Sequence, residues 1–410
     1  MRPLRRIAAR LVALVRADAS GVRAGFYALC VSAATGLIAG LTLGAISGTL
    51  EDLPGLLVLV PAAIGMRGNV FGALGSRLGT AIHTGTFRPT LRRDTIVGQN
   101  LAAAFSLSLG LALLLALLAK VVAVAFGLSG TIPIADFVVV SGLGGAISSV
   151  ALAGITVVVA EISTRRGWDL DNVSAPIVTS AGDVVTLPSL WLATLLTRRH
   201  GVTEAIAVAF AIVAVVGIVR AWRSELLVLR SIVRESVPIL VVAGAVDIVA
   251  GLTVEKRLAS FAAFPALLVI IPPFLGQSGA LGGILVSRIS TKMHLGIVDP
   301  QRFRLRGFGE DIALVALYAV PVYAMVGLSS DLVSAMSGLR SPGALDVIGV
   351  AMVAGAATFV ALVVVAAVAA IASYRLGLDP DNHGIPAVTS SLDLLGSIAL
   401  ILAIVLFGFG

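Results

Sequence analysis

Asp183 and Asp393 each fall inside a long apolar run, where ionisable groups are rare and usually line a path for ions or protons. Both are preceded by the same polar residues at matching spacing. Asn172, Pro176, Thr179 and Asp183 stand at i, i+4, i+7 and i+11, positions that a helix aligns on one face, and Asn382, Pro386, Thr389 and Asp393 repeat the pattern. Two such stripes on related helices are expected to face each other where water rather than lipid reaches them. Facing carboxylates repel unless a shared proton or a cation lies between them, and a divalent cation satisfies both charges. Mg²⁺ fits a sparse oxygen set, because it is held by one or two carboxylates and keeps several waters. Soft metals are excluded: Cys30 is the single cysteine and the four histidines are scattered. The competing role for the stripe is hydrogen bonding between helices.

Asp247 has no acidic counterpart in the other half of the chain, where Gly36 stands, and it is a candidate site for a coupling ion or a proton, or a partner for an arginine such as Arg288. Two glycine-rich stretches, 65–85 and 276–296, carry Arg77 and Arg288 at equivalent depths. Such stretches allow either close helix packing or local unwinding that frees carbonyls to line a pathway. His83 and His294 are expected at the membrane interface, Glu161 at the cytoplasmic rim, and Lys120 and Asp136 at the outer rim.

The elements that carry these residues follow from composition. Of 410 residues, 58% are hydrophobic and only 12% charged, about half the charged fraction of a soluble domain, which excludes a soluble fold. Apolar runs predict eleven membrane spans, near 25–50, 54–82, 95–128, 133–162, 171–196, 203–221, 232–254, 260–290, 311–336, 345–373 and 381–409. The net charge of +7 sits in short loops without interleaved aromatics, so no nucleic-acid partner is expected. With a cytoplasmic N-terminus, twenty Lys and Arg fall on the inner side and five on the outer. That asymmetry predicts an inner (plasma) membrane protein with its N-terminus cytoplasmic and its C-terminus extracytoplasmic. Residues 1–24 form a basic cytoplasmic segment that either lies on the membrane surface or simply flanks the first span.

The chain repeats at an offset of about 211 residues. Residues 61–69 (PAAIGMRGN) align with 272–280 (PPFLGQSGA), 37–42 with 248–253, and the block from Asp169 to Asp183 with that from Asp379 to Asp393. Ser76, Arg77, Thr80, His83 and Gly85 align with Ser287, Arg288, Thr291, His294 and Gly296. Five spans per repeat would invert the second copy, and the span within 201–223 restores its orientation. The expected fold is therefore an all-α polytopic membrane protein. It comprises two parallel five-helix repeats, 25–200 and 224–410, joined by a linking transmembrane helix about a pseudo-twofold axis along the membrane normal.

The paired segments resemble the MgtE-type magnesium transporter domain, and its duplication with a linking span resembles the solute-carrier family 41 proteins. The resemblance rests on Gly65-Met-Arg-Gly-Asn69, Ser76-Arg77-Leu-Gly-Thr80, Ser287-Arg288-Ile-Ser-Thr291 and the two blocks ending at Asp183 and Asp393. It implies Mg²⁺ transport, with those aspartates lining the ion path and Asn69 of the family's Gly-Asn motif as a further ligand. The second repeat has Gly279-Ala280 at that place, so one amide ligand is missing. The duplication would replace the family's homodimer, giving a functional monomer, and regulation through large cytoplasmic domains is not expected. Passage is expected through a central path, as a channel or as a carrier coupled to Na⁺ or H⁺. A membrane-embedded enzyme using the paired aspartates as acid and base is the alternative, disfavoured because a symmetric pair does not supply two different environments.

Overall fold

The computed structural model describes residues 19–88, 90, 92, 94–166, 170–197, 201–297, 308–378 and 383–409, with backbone only at 19–21, 24, 83, 166, 170–176, 259, 260 and 262. The described residues form helices and no strand. In chain order these are α1 (Ala19–Ala45), α2 (Ser47–Asp52), α3 (Leu56–His83), α4 (Ile96–Ala125), α5 (Ile134–Arg166), α6 (Leu170–Thr194) and α7 (Val202–Trp222). They continue as α8 (Leu227–Glu255), α9 (Leu258–Ala263), α10 (Ala266–Val269), α11 (Ile271–His294), α12 (Gly309–Met336), α13 (Ala344–Arg375) and α14 (Ile385–Leu406).

Among the described residues, eleven helical segments are long and apolar enough to cross a membrane, matching the number read from the sequence. Two runs differ in detail. The first ends at Ala45 and turns into the short α2. The run at 260–290 is broken: Phe264 turns extended (φ −134°, ψ 81°) ahead of Pro265, which disfavours helix at the preceding residue, and α9, α10 and α11 result.

Among the described residues, the starts of α4 and α3 take side-chain caps. Thr95 Oγ1 accepts from the Gly98 amide (3.1 Å) at the start of α4. The start of α3 takes its cap from far along the chain: Glu255, ending α8, accepts from the Gly55 and Leu57 amides at 2.7 and 3.0 Å. A carboxylate there satisfies orphan donors and meets the positive end of the helix dipole.

The chain divides into two compact units, 38–269 and 1–37 with 270–410. In the larger, α3 packs on α4, α5, α6 and α8, and α7 lies on α4 and α5, with Phe210 over Gly142. In the smaller, α11 packs on α12, α13 and α14, and α1 joins through Tyr318, whose hydroxyl donates to the Val22 carbonyl (3.1 Å).

The larger unit contains α8 and the end of α1, and the smaller contains α1 up to Leu37. In the larger unit α8 crosses α3 so closely that a Cβ on Gly251 would run into the Val58 carbonyl. Gly40 of α1 meets the Val269 carbonyl in the same way, at the same offset. In the smaller unit, a Cβ on Gly36 would come within 2.8 Å of Pro273 Cα. The units therefore cut the chain at places other than the repeat limits 25–200 and 224–410. Backbone-to-backbone approach at glycine is a common means of helix association in lipid, where burial against another helix has little hydrophobic driving force.

Candidate cation-path residues

The glycine-rich stretches are helical up to their last two residues: α3 and α11 run unbroken across 65–83 and 276–294. Of the two uses open to them, they serve close packing, and no unwound carbonyls are present within them. Their partners are the last helices of the repeats. In the larger unit, a Cβ added at Gly68 would lie 3.7 Å from Thr179 Cγ2, and one at Gly72 would lie 3.9 Å from Thr179 Oγ1. In the smaller, a Cβ added at Gly279 would lie 3.4 Å from Thr389 Cγ2. The same threonine rests on the same glycine in both.

That contact orients the acids. Asp183 lies one helical turn beyond Thr179, beside Gly182, whose added Cβ would reach the Gly68 amide nitrogen at 4.0 Å. Asp183 and Asn69 are both half-buried, and Thr179 is exposed. In the smaller unit Asp393 stands one turn beyond Thr389 and is half-buried as well, while Thr389 Oγ1 donates to the Pro386 carbonyl (3.1 Å). Ala280, half-buried, occupies the place corresponding to Asn69. The side chains of Asn172 and Asn382 lie outside the described residues, so the stripe is described through its threonine and aspartate.

Among the described residues, no three His, Cys, Asp or Glu converge as a metal cage. Each unit presents one carboxylate and one hydroxyl along an accessible helix face, a weak oxygen set suited to an ion that travels with its waters.

The remaining candidates separate. Asp247 is fully buried in α8. Arg288 is taken by a different acid: its Nε donates to Asp311 Oδ1 (2.9 Å), and Lys292 Nζ to Asp311 Oδ2 (2.6 Å). Arg77, at the corresponding depth, donates instead to the neutral Asn100 (2.8 Å). His294 packs edge-on to Tyr374 and bonds the Ser290 carbonyl (2.9 Å), whereas the His83 side chain lies outside the described residues. Glu161 pairs with Arg165 one turn away. Lys120 secures a loop through Thr131 and Ile132.

Sequence reasoning passed over Arg67, although the residue lay inside a quoted motif. Its guanidinium is fully buried, donating to Ser148 Oγ (2.6 Å) and the Ala63 carbonyl (2.5 Å); among the described residues, Nη2 has no partner and no carboxylate pairs with it. The signal was present, since a basic residue amid an apolar helix is as anomalous as an acidic one.

Eleven membrane-length helical segments among the described residues, with a threonine and aspartate matched at two places, mark a polytopic membrane protein. A family profile described as divalent cation transporter, MgtE, matches twice, at residues 60–193 and 271–403. The chain belongs to the MgtE family of divalent cation transporters. It is 27% identical to solute carrier family 41 member 3 of Mus musculus over 379 residues, covering 86% of this chain and 75% of that protein. The corresponding Rattus norvegicus protein is 27% identical over 403 residues, covering 90% and 85%. Solute carrier family 41 member 2 of Homo sapiens is 26% identical over 375 residues, covering 85% and 63%. No solved structure matches. These relatives are solute carriers, and the chain is a transporter rather than an enzyme.

Proposed function

We propose that the chain carries Mg²⁺ across the inner membrane along a path between its two repeats, with Asp183 and Asp393 confronting each other across a pseudo-twofold axis along the membrane normal. The carrying observation is the repeated placement of a half-buried aspartate one turn beyond a threonine seated on a helix glycine, Gly68 with Thr179 and Gly279 with Thr389. In this reading Thr179, Thr389, Asn172 and Asn382 extend the path, and Asn69 adds an amide on one side only. Two carboxylates then hold a largely hydrated ion weakly enough to release it. The duplicated chain works as a monomer, with its N-terminus cytoplasmic and its C-terminus extracytoplasmic, as the basic-residue asymmetry supports.

The burial of Asp247 in α8 favours a carrier coupled to Na⁺ or H⁺ over a simple channel, because a carboxylate held away from water is suited to exchanging a proton or a monovalent ion. Proteoliposome flux tests both levels. Asp183→Asn and Asp393→Asn should each lower Mg²⁺ flux at least tenfold, and unaltered flux in both would overturn the path. Asp247→Asn should remove the dependence on an imposed Na⁺ or proton gradient, and wild-type flux indifferent to any gradient would overturn the coupled form.

A further inference from the structure

We propose that the larger unit contains a binding site for one anionic phospholipid, whose phosphate is held by Arg77, Arg230 and Arg234. An open groove of about 450 Å³ is lined by Arg77, Thr80 and Asn100 together with Leu227, Val228, Ser231 and Ile232 at the start of α8. A second groove of about 390 Å³, sharing Leu227 and Ser231, adds Arg230, Arg234 and Glu235. Three arginines and three neutral polar side chains thus adjoin an apolar wall.

Comparison with the other repeat shows what this place lacks. Arg288 and Lys292 enclose Asp311, a carboxylate with no exposure, so the smaller unit supplies its own anion. At the corresponding positions the larger unit has Arg77 and Asn100, at the same separation of 23 residues, and a neutral amide cannot balance the guanidinium. Glu235 attracts Arg77 and accepts a hydrogen bond from Ser231, offsetting one of the three positive charges. Arg230 and Arg234 hold no carboxylate within ion-pair distance among the described residues, and Arg234 lies over the Trp222 ring at 5.8 Å. A phosphate monoanion completes this cluster as Asp311 completes the other. Inorganic phosphate has the same headgroup chemistry, but Leu227, Val228 and Ile232 beside it suit an acyl chain, and the charged groups sit at helix ends where lipid headgroups lie.

The test uses the purified full chain in neutral detergent, with brominated phosphatidylglycerol as the probe and quenching of Trp222 fluorescence as the signal. The other two tryptophans, Trp168 and Trp191, are replaced by Phe. Saturable quenching by phosphatidylglycerol is expected, with brominated phosphatidylcholine at least tenfold weaker. Asn100→Asp, which installs the carboxylate of the other repeat, should weaken phosphatidylglycerol roughly tenfold, the loss expected for one charge-assisted contact. The surface pair Arg230→Gln and Arg234→Gln, which leaves the helix core untouched, should do the same. Equal quenching by both lipids, or full affinity in both sets of variants, would overturn the proposal. Displacement of the lipid by inorganic phosphate at equal concentration would overturn the lipid assignment.

Discussion

The neighbourhoods of Gly145 and Gly355 occupy corresponding places in the two repeats and are filled in opposite ways. Over Gly145 lies the Arg67 guanidinium, with Ala112 alongside. Over Gly355 lies the Tyr323 ring, whose hydroxyl shares a hydrogen bond with Ser278 at 3.0 Å. Arg67 corresponds to Ser278 and Ala112 to Tyr323, so the bulk that α3 supplies in one repeat is supplied by α12 in the other. Arg77 with Asn100, against Arg288 with Asp311 and Lys292, follows the same rule. Duplication has preserved the glycine contacts and the threonine–aspartate faces, and it has let the fixed charges diverge. The two repeats thus keep one scheme of helix packing with different electrostatics.

The comparison is broken most severely at the helix crossings it treats as equivalent. Gly40→Val or Gly251→Val should destabilise by about 3 kcal/mol or more, because the Cβ meets backbone that cannot yield. Gly283→Ala, with nothing within 4 Å, should be nearly neutral. Thermal unfolding in detergent distinguishes them, and equal midpoints would show that the crossings are not tight.

Arg67→Ser alone should cost about 3 kcal/mol by emptying the socket over Gly145. Adding Ala112→Tyr rebuilds the arrangement of the other repeat and should recover most of that loss. A double variant no more stable than the single would mean the two sockets are not interchangeable.

Asp311→Asn leaves Arg288 and Lys292 without their carboxylate and should lower stability by about 2 kcal/mol. Glu255→Gln has the smallest effect, about 1 kcal/mol, because its amide oxygen still accepts from one of the two α3 amides while its NH2 leaves the other without an acceptor. Chemical unfolding of each, with Asp311→Asn the less stable, checks the order.

The spans were legible because length and apolarity alone determine what crosses a bilayer. Asp183 and Asp393 stood out because acids are scarce in such runs and because their spacing from Thr179 and Thr389 recurs. The pairing of α8 with α3 was not legible: the approach of Gly251 to the Val58 carbonyl joins residues far apart in the chain, and a glycine carries no mark of what it touches. The glycine-rich stretches were ambiguous for the same reason, since small residues permit both packing and unwinding. Asp311 was hidden by its position in the first turn of α12, where an acid looks like an ordinary helix-end residue.

The proposed path requires Asp183 and Asp393 to share one aqueous gap. With Cys30 replaced by Ala, the double variant Asp183→Cys and Asp393→Cys can be treated with a short, water-soluble bis-thiosulfonate, and the proportion of chains carrying an internal bridge read by mass. Efficient bridging in the double variant is the predicted result, together with slower labelling of the single thiol in excess Mg²⁺ when only one of the two sites is changed. Thiols that stay unmodified, or that each take a separate reagent without bridging, would contradict it.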